Sequence, residues 1–234
     1  TRFGKSRKQK ILLVVAQAMF NTEVVLSQLL KLEQANASYQ ELVNGFSSSK
    51  NQAILKLVAQ ATFNQGYSLM RAEQYYDAIL EWEKVITQFS HTENQQILLI
   101  LAWSMVGKAQ ALIKLDNFKG EIAVYNKIIT HFNNTQQSLL LLEVARAMFN
   151  KGIVLQEIGQ VQNAITLYTD LTTKFTFNSN ISIAELTAKA LLYNAQQLAQ
   201  TDKTAAIVLL DQNIYMLKEH KQPGRNCWQF RQRL

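Results

Sequence analysis

The feature that most constrains the fold of this chain is a period of 43 residues. Residues 59–66 read AQATFNQG and residues 145–152 read ARAMFNKG, two octets that lie two periods apart. Other columns of like residues recur at the same step: Ala16, Ala59, Ala102, Ala145 and Ala188; Phe46, Phe89, Phe132 and Phe175; Tyr39, Trp82, Tyr125 and Tyr168. Self-similarity at this spacing indicates a stack of small supersecondary repeats.

Each repeat carries the apolar spacing of two helices. In the second repeat, apolar residues follow one another at three- or four-residue intervals from Leu55 to Leu69 and again from Tyr75 to Phe89, which is the pattern of amphipathic helices. Tight turns between the two helices are expected at residues 72–74, 115–117 and 158–160. One proline and eight glycines are too few for the many turns of an all-β chain. The sequence therefore predicts an all-α fold.

Small residues are expected where the two helices of a repeat cross, because a larger side chain would hold the helix axes apart. The candidates are Gly66, Ala78, Gly152 and Ala164. An aromatic residue that ends a second helix, such as Phe89 or Phe132, is expected to fill the gap against the next repeat. Polar stretches at 47–51, 90–94, 133–136 and 178–182 offer Ser, Thr and Asn as N-caps of the next long helix. Since neither helix can cover its apolar face alone, the repeats are predicted to stack.

Residues 59–89 and 145–175 resemble the tetratricopeptide repeat. The matching residues of the first segment are Asn64 and Gly66 in the first helix and Tyr75, Ala78, Ile79 and Trp82 in the second. That family has repeats of 34 residues, so each repeat here is nine residues longer. We attribute the excess to a first helix of about 22 residues, which would be about 33 Å long, and to a longer linker. The form resembles the long-repeat variety of bacterial proteins, in which a pattern like that of residues 143–152, EVARAMFNKG, recurs.

The resemblance implies a right-handed α-solenoid of about five helix-turn-helix repeats, with worn terminal repeats, over residues 11–218. The predicted repeats cover about 11–47, 48–90, 91–133, 134–176 and 177–219. A basic segment, residues 1–10, precedes them, and a basic tail or linker, residues 220–234, follows. Because the sequence does not begin with methionine, we expect it to be a fragment of a longer protein.

The net charge of +7 belongs to the two ends of the chain. Residues 1–10 carry five basic residues and no acid, and residues 218–234 carry five basic residues and one acid. A single cysteine excludes an internal disulfide, which favours a cytoplasmic location. The longest apolar stretch, residues 97–106, is about half of the roughly 20 residues that a membrane span needs, so none is expected. The N-terminus mimics a secretory signal, but residues 16–21 align with 59–64 and are assigned to the first helix.

No pattern of catalytic residues stands out. The sequence lacks glycine-rich phosphate loops and the usual zinc-protease and serine-hydrolase motifs, and its three histidines lie far apart. We therefore expect no enzyme, no bound metal and no cofactor. Glu81 and Glu83, on either side of Trp82, are interpreted as a solvated helix face, and Cys227 as an ordinary residue of the tail.

The resemblance does imply a partner-binding groove on the concave side, lined by the first helices. Carried over column by column, the residues expected there are Asn21, Asn64, Tyr67, Arg71, Trp103, Gln110, Lys114, Arg146, Asn150, Lys189 and Tyr193. Their amides can hydrogen-bond a peptide backbone, and their cations can hold a carboxylate. For Asn64 and Asn150 the alternative is a local polar contact, and for Trp103 it is packing in the core.

The sequence thus predicts a non-enzymatic protein-interaction scaffold that binds a peptide or a partner domain. Two alternatives stay open. The first is a sensor or regulatory arm of a larger bacterial protein, packed against its own protease or nucleotide-binding domain. The second and weaker one is nucleic-acid binding through the basic ends, which the nearly neutral body, without a continuous basic stripe, disfavours.

Overall fold

The computed structural model describes residues 2–29, 31–176, 178–200 and 202–211, with their side chains except those of residues 2–7 and 32. Within these ranges the chain is helical and contains no strand. The helices are α1 (Arg2–Gln28), α2 (Leu32–Phe46), α3 (Gln52–Arg71), α4 (Tyr75–Gln88), α5 (Gln95–Lys114), α6 (Phe118–Phe132), α7 (Ser138–Glu157), α8 (Val161–Phe175) and α9 (Ile181–Leu198). Residues 203–211 are helical as well. The predicted all-α class is confirmed.

Two compact halves divide the chain: an N-terminal half, residues 1–124, and a C-terminal half, residues 125–234. In the N-terminal half, α1 to α4 each pack against the next helix along the chain, and α3 also packs against α1 and α5. In the C-terminal half, α8 packs between α7 and α9, which also contact each other. Each half is therefore built from helical hairpins laid side by side.

The helices keep a constant register along the chain. The first helices α3, α5, α7 and α9 begin at Gln52, Gln95, Ser138 and Ile181, each 43 residues after the one before. The turns inside the hairpins fall at residues 72–74, 115–117 and 158–160, as predicted. The helices α3, α5 and α7 have 20 residues each, slightly fewer than expected.

The three turns close in the same way. Glu73, Asp116 and Gly159 have left-handed backbone angles, with φ of 59°, 52° and 78°. The next residue then donates its N–H to the carbonyl five residues earlier: Gln74 to Leu69 (2.9 Å), Asn117 to Leu112 (3.0 Å) and Gln160 to Leu155 (2.7 Å). This arrangement is a common end of a helix. Only Gly159 adopts it without a steric penalty, so the other two turns are held by the packing of the hairpin.

The linkers between hairpins are held by hydrogen bonds between side chains and the backbone. Asn51, Asn94 and Asn180 precede the first helices and accept hydrogen bonds from the backbone N–H groups two and three residues later, which is N-cap geometry. The backbone N–H of residues 51, 94, 137 and 180 is in turn donated, at 2.9–3.3 Å, to the side chains of Ser49, Thr92, Thr135 and Asn178. The predicted N-caps are confirmed at three linkers, whereas Gln137 makes no side-chain cap.

Trp82 of α4 fits between two glycines. A Cβ atom added to Gly66 of α3 would lie 2.6 Å from the indole nitrogen, and one added to Gly107 of α5 would lie 2.7 Å from the ring. The indole Nε1 also donates a hydrogen bond to the backbone carbonyl of Phe63 at 3.2 Å. Because the ring is held on both sides, it has little room to move. The two glycines let α3 and α5 both approach the Trp82 side chain of α4 closely.

The same fit recurs in the C-terminal half. A Cβ atom on Gly152 of α7 would collide with the ring of Tyr168 in α8. Ala78 and Ala164, the other predicted crossing residues, are fully buried. The expectation of small residues at the helix crossings is therefore confirmed.

The first helices α3 and α5 each bury an apolar face against the second helix before them. One buried cluster joins α2 and α3 through Tyr39, Leu42, Ile54, Leu57 and Val58. Another joins α4 and α5 through Val85, Phe89, Ile97 and Ile100. Phe89 thus fills the gap against the next hairpin, as predicted. At about 1.5–3 kcal/mol for each fully buried large aliphatic side chain, these clusters are the main attraction between hairpins.

The interpretation of Glu81 and Glu83 as a solvated face is wrong. Glu81 is buried and pairs with Lys84 at 2.6 Å. Glu83 forms an ion pair with Lys108 of the next first helix, α5. The face of α4 that looks polar in the sequence therefore contacts α5, whose lysine supplies the opposite charge.

Two segments, Lys8–Gln28 and Gln95–Lys114, are helices long and apolar enough to cross a membrane. The second is α5, and more than half of it is buried within the protein, as expected for a core helix. Most of the first segment is exposed. The absence of a membrane span therefore stays a prediction.

The two basic ends differ in what the structure describes. The N-terminal segment is helical from Arg2 and continuous with α1. The tail at 220–234, with Cys227, lies outside the described residues, and so do residues 212–219 of the last predicted repeat.

Replacing Gly66 with alanine tests the fit around Trp82. We expect Gly66→Ala to lower the free energy of unfolding by about 1–3 kcal/mol, because the new methyl group overlaps an indole ring that cannot retreat. Urea denaturation followed by far-ultraviolet circular dichroism measures the change.

Gly45→Ala is the matched control, since nothing lies within 4 Å of a Cβ atom at Gly45. We expect this variant to raise the free energy of unfolding by about 0.5–1 kcal/mol, because alanine is a better helix former than glycine. Equal effects of the two substitutions would contradict the proposed role of the small residue.

Candidate functional site

The eleven residues expected in a groove all lie on first helices, and none of them is buried. Asn64 and Tyr193 are half-buried, and the other nine are exposed. The N-terminal half holds Asn21, Asn64, Tyr67, Arg71, Trp103, Gln110 and Lys114. The C-terminal half holds Arg146, Asn150, Lys189 and Tyr193. We name six of them, Asn64, Tyr67, Arg71, Trp103, Gln110 and Lys114, the α3–α5 surface.

Aromatic rings give the α3–α5 surface its apolar part. Tyr67 is 55% exposed and Trp103 is 40% exposed. The Trp103 ring is tilted against that of Phe63, with the centroids 6.3 Å apart. Phe63 and Tyr67 stand one turn apart on α3, so they share a face. Trp103 therefore combines both expectations, because it packs on Phe63 and still offers open surface.

Two cations lie at the C-terminal ends of the same two helices. Arg71 lies in the last turn of α3 and Lys114 in the last turn of α5, where the helix dipole favours positive charge. Both are exposed, and within the described ranges neither belongs to an ion pair. The α3–α5 surface itself contains no acidic residue. It is therefore suited to negatively charged groups.

The asparagine position of a first helix faces the aromatic residue of the hairpin before it. The Asn64 side chain hydrogen-bonds with the hydroxyl of Tyr39. In the C-terminal half, Tyr193 packs edge-on against Tyr168, with the ring centroids 4.9 Å apart. Asn64 thus has a local polar contact as well as its exposed part, whereas Asn150 is exposed.

Tyr168, which packs against Tyr193, is buried and uncharged. Its hydroxyl accepts a hydrogen bond from Gln156 Nε2 at 2.8 Å. Burial raises the pKa of Tyr168 well above the usual range, the neighbouring Tyr193 raises it further, and the contact with Gln156 lowers it in part. Burial also raises the pKa of Tyr193.

A buried carboxyl group lies beside Tyr39. Glu23 of α1 is fully buried, and neither of its carboxyl oxygens has a hydrogen-bond partner among the described residues. Later repeats have Gly66, Ala109, Gly152 and Ala195 at this position. Burial raises the pKa of Glu23 from 4.5 to about 8, so the neutral acid predominates at pH 7.

The same burial acts on the neighbouring phenol. Burial raises the pKa of Tyr39, the charge of Glu23 raises it further, and hydrogen bonds with Asn64 and Ser27 lower it in part. Both groups are therefore held in their neutral forms at pH 7. This neutral pair lies directly behind Asn64 of the α3–α5 surface.

Arg146 of the C-terminal half already has an anionic partner. Its guanidinium donates to Glu143 at 2.9 Å within α7. Glu143 is buried, and burial raises its pKa while Arg146 lowers it in part. Releasing Arg146 to an external carboxylate would leave this buried acid without its partner. Arg146 is thus a weaker candidate for ligand binding than the two cations of the N-terminal half.

Reasoning from the sequence missed one column of polar residues. Lys108 of α5 pairs with Glu83 of α4. Two repeats later, Asn194 of α9 donates to Thr169 Oγ1 of α8 at 3.1 Å. Lys108 and Asn194 share one position of the repeat, and Glu83 and Thr169 share another. The opposite charges of Lys108 and Glu83 were the signal that could have indicated this contact. These contacts fix one hairpin against the next and take no part in the exposed surface.

Comparison with known proteins identifies the repeat. Residues 146–176, which run from α7 to the end of α8, match the family model of the tetratricopeptide repeat. A crystal structure of a Podosopora anserina protein, described as a kinesin light chain with nearly identical TPR-like repeats, has a similar fold. The TM-score is 0.54 at 13% sequence identity, over 89% of this chain and 97% of that chain. The fold is that of TPR-like repeats. No curated protein sequence matches the chain.

These comparisons bear on several expectations. The predicted class, an α-solenoid of TPR-like repeats, is confirmed by the similar fold, and the resemblance to the tetratricopeptide repeat is confirmed over the matched segment. Among the described residues no group of three or more His, Cys, Asp or Glu side chains is placed to hold a metal ion. The bacterial type and the absence of enzymatic activity, metal and cofactor stay predictions.

Substitution of Glu23 by glutamine tests the buried acid. In the unfolded chain Glu23 ionises near pH 4.5, whereas in the folded chain it stays protonated up to about pH 8. Wild-type stability should therefore fall as the pH rises through this window, by up to about 5 kcal/mol. Glu23→Gln removes that fall, so its stability relative to wild type should increase from pH 4.5 to pH 8 and then level off.

Urea denaturation at several pH values measures this difference. Glu33→Gln, a substitution of an exposed carboxyl on α2, serves as the control and should show no such trend. A difference between wild type and Glu23→Gln that is the same at pH 5 and pH 8 would contradict a neutral Glu23.

Proposed function

We propose that this chain is a protein-interaction module that binds a peptide or a partner domain on the α3–α5 surface. TPR-like repeats are generally protein-interaction modules, which supports the class. The observation that carries the proposal is that the exposed rings of Tyr67 and Trp103 share α3 and α5 with two exposed cations, Arg71 and Lys114, which form no ion pair among the described residues. We also propose that 43 residues is the period of the TPR-like repeat in this chain.

The chemistry of the surface indicates the kind of ligand. The open faces of Tyr67 and Trp103 favour contact with an apolar or aromatic side chain, the type of anchor that dominates many interfaces. Arg71 and Lys114 favour carboxylates, with charge-assisted hydrogen bonds worth roughly 1.5–3 kcal/mol each. The Gln110 amide can satisfy a peptide backbone. We therefore infer that the ligand is an acidic segment with an apolar anchor residue.

The surface is also suited to binding because its helices are held from behind. α3 and α5 are fixed by the buried clusters and by Trp82 between Gly66 and Gly107. A rigid surface loses little conformational entropy when a ligand binds. The C-terminal half offers a smaller set of exposed groups, Asn150, Lys189 and the edge of Tyr193, which we assign to the same role.

We further propose that the module has no enzymatic activity of its own and acts in the cytoplasm. The proposal rests on the lack of catalytic motifs and on the single cysteine of the sequence. TPR-like repeats typically bind rather than catalyse, which agrees with it.

A peptide array tests the proposed surface. Ten-residue peptides that vary in acidic and aromatic content are screened, and the best binders are titrated by fluorescence polarisation. We expect acidic peptides with an apolar residue to be selected. The double substitution Arg71→Ala with Lys114→Ala should weaken their binding at least tenfold, because tenfold corresponds to about 1.4 kcal/mol, less than one lost charge-assisted bond. Trp103→Ala should weaken binding to a similar degree.

Two substitutions outside the surface are matched controls. Tyr76 and Lys119 are exposed on the second helices α4 and α6, so Tyr76→Ala and Lys119→Ala should bind like wild type. The proposal fails if no peptide class is selected, or if the selected peptides bind the surface variants as tightly as the controls.

A further inference from the structure

The outward face of α1 is apolar and exposed. Its members are Ile11, Val14, Val15, Ala18 and Val25. Ile11 is 56% exposed and Val14 is 69% exposed, and none of the five residues is charged. An end repeat that closes a stack normally has a polar outer side. This face therefore does not have the character of a cap.

The same positions are buried in α3, α5 and α7, and in α9 they are buried or half-buried. In α3 the residues 43 places on are Ile54, Leu57, Val58, Ala61 and Ser68, and all of them are buried. Ile54 is 2% exposed, against 56% for Ile11. The later counterparts of Ile11, namely Ile97, Leu140 and Ile183, are buried as well. In α3 and α5 this face contacts the second helix of the hairpin before it.

The opposite side of α1 already has its ordinary contacts. Ala16 is buried, and Phe20 and Leu26 pack into the cluster shared with α2 and α3. The outward face is thus a second contact surface, and it corresponds to the interface between hairpins that recurs along the chain.

The residues before this face carry a matching sequence. Stepping back by 43 from Phe46, Ser49 and Gln52 gives Phe3, Ser6 and Gln9. Phe46 ends a second helix, Ser49 belongs to a linker, and Gln52 begins a first helix. The same order of residue types therefore stands at the start of α1, where residues 3–9 are helical and form no linker.

We propose that the outward face of α1 is an interface between hairpins, and that its occupant is the second helix of a further hairpin of this repeat type, joined ahead of Gln9. The contact would be the one that α2 makes with α3, with an aromatic and an aliphatic side chain of the added helix placed on Ile11 and Val14. It lies on a different face of the first helices from the α3–α5 surface and is independent of the proposed peptide binding.

A lipid bilayer fits this face less well. The helix also carries Gln17, Asn21, Glu23 and Gln28, and a bilayer would have to accept these polar groups. Glu23 is instead buried against protein. The five apolar residues of the outward face lie on one side of α1, as a contact with another helix requires.

The experiment joins the proposed hairpin to the chain. A copy of residues 52–94 replaces residues 1–8, so that its last residue, Asn94, directly precedes Gln9. We expect hydrogen exchange of the α1 amides to slow at least tenfold and Tm to rise by roughly 5 °C. A second extension with a copy of residues 138–180 guards against misfolding of the first hairpin.

Val14→Asp then identifies the contact. It should change Tm by less than about 2 °C in the original chain and lower it by roughly 5 °C or more in the extended chain. Leu57→Asp, the counterpart in α3, should lower Tm in both chains. The proposal is overturned if neither extension protects α1, or if Val14→Asp has equal effects in both chains.

Two further measurements test the other occupants of the face. Sedimentation velocity of the original chain should show no dimer that Val14→Asp dissociates, since such a dimer would assign the face to a second copy. Flotation with vesicles of phosphatidylcholine and phosphatidylglycerol should show no binding that Val14→Asp abolishes, since such binding would assign it to a membrane. Either result would overturn the proposal.

Discussion

The first helices α3 and α5 cannot cover their own apolar faces, and the second helix of the preceding hairpin covers each of them instead. Ile54 and Leu57 of α3 meet Tyr39 and Leu42 of α2, and α5 meets α4 in the same way. The close approach depends on small residues opposite large rings, as Gly66 and Gly107 are to Trp82. Contacts between neighbouring helices therefore contribute much of the stability of each half.

The candidate binding surface follows from this arrangement. One side of α3 and α5 is used for packing, which leaves Tyr67, Arg71, Trp103 and Lys114 on the remaining side. Their positions are set by helices that are themselves fixed, so the rings and cations keep their spacing in the absence of a ligand. The surface is then available for binding without a prior folding step.

Much of the fold could be predicted because its signals are local. The turns at 72–74, 115–117 and 158–160 and the N-caps at Asn51, Asn94 and Asn180 each depend on a few neighbouring residues. The environment of Glu81 and Glu83 could not be predicted in this way. A carboxylate on a helix is solvated unless another element covers it, and the partner of Glu83 is Lys108, in another helix of another repeat.

The site was predictable in outline only. The column of residues on each first helix identified the exposed side chains, since none of the eleven is buried. Their contact partners could not be predicted, because the spacing of residues along the sequence does not give the distances between side chains of different helices. Arg146 already binds a buried Glu143, and Asn64 contacts a tyrosine of the preceding hairpin. Phe63 was missed because its role appears only when Trp103 of the next first helix lies against it.

The hydrogen-bonded linkers also bear on how the protein would respond to tension. In each linker, a side-chain oxygen of Ser, Thr or Asn accepts a hydrogen bond from the backbone N–H of the residue before the next helix. The linkers are therefore held in place and would not extend first when the chain is pulled. Lengthening must begin with the peeling of a whole hairpin from its neighbour, so each hairpin would yield as a discrete step.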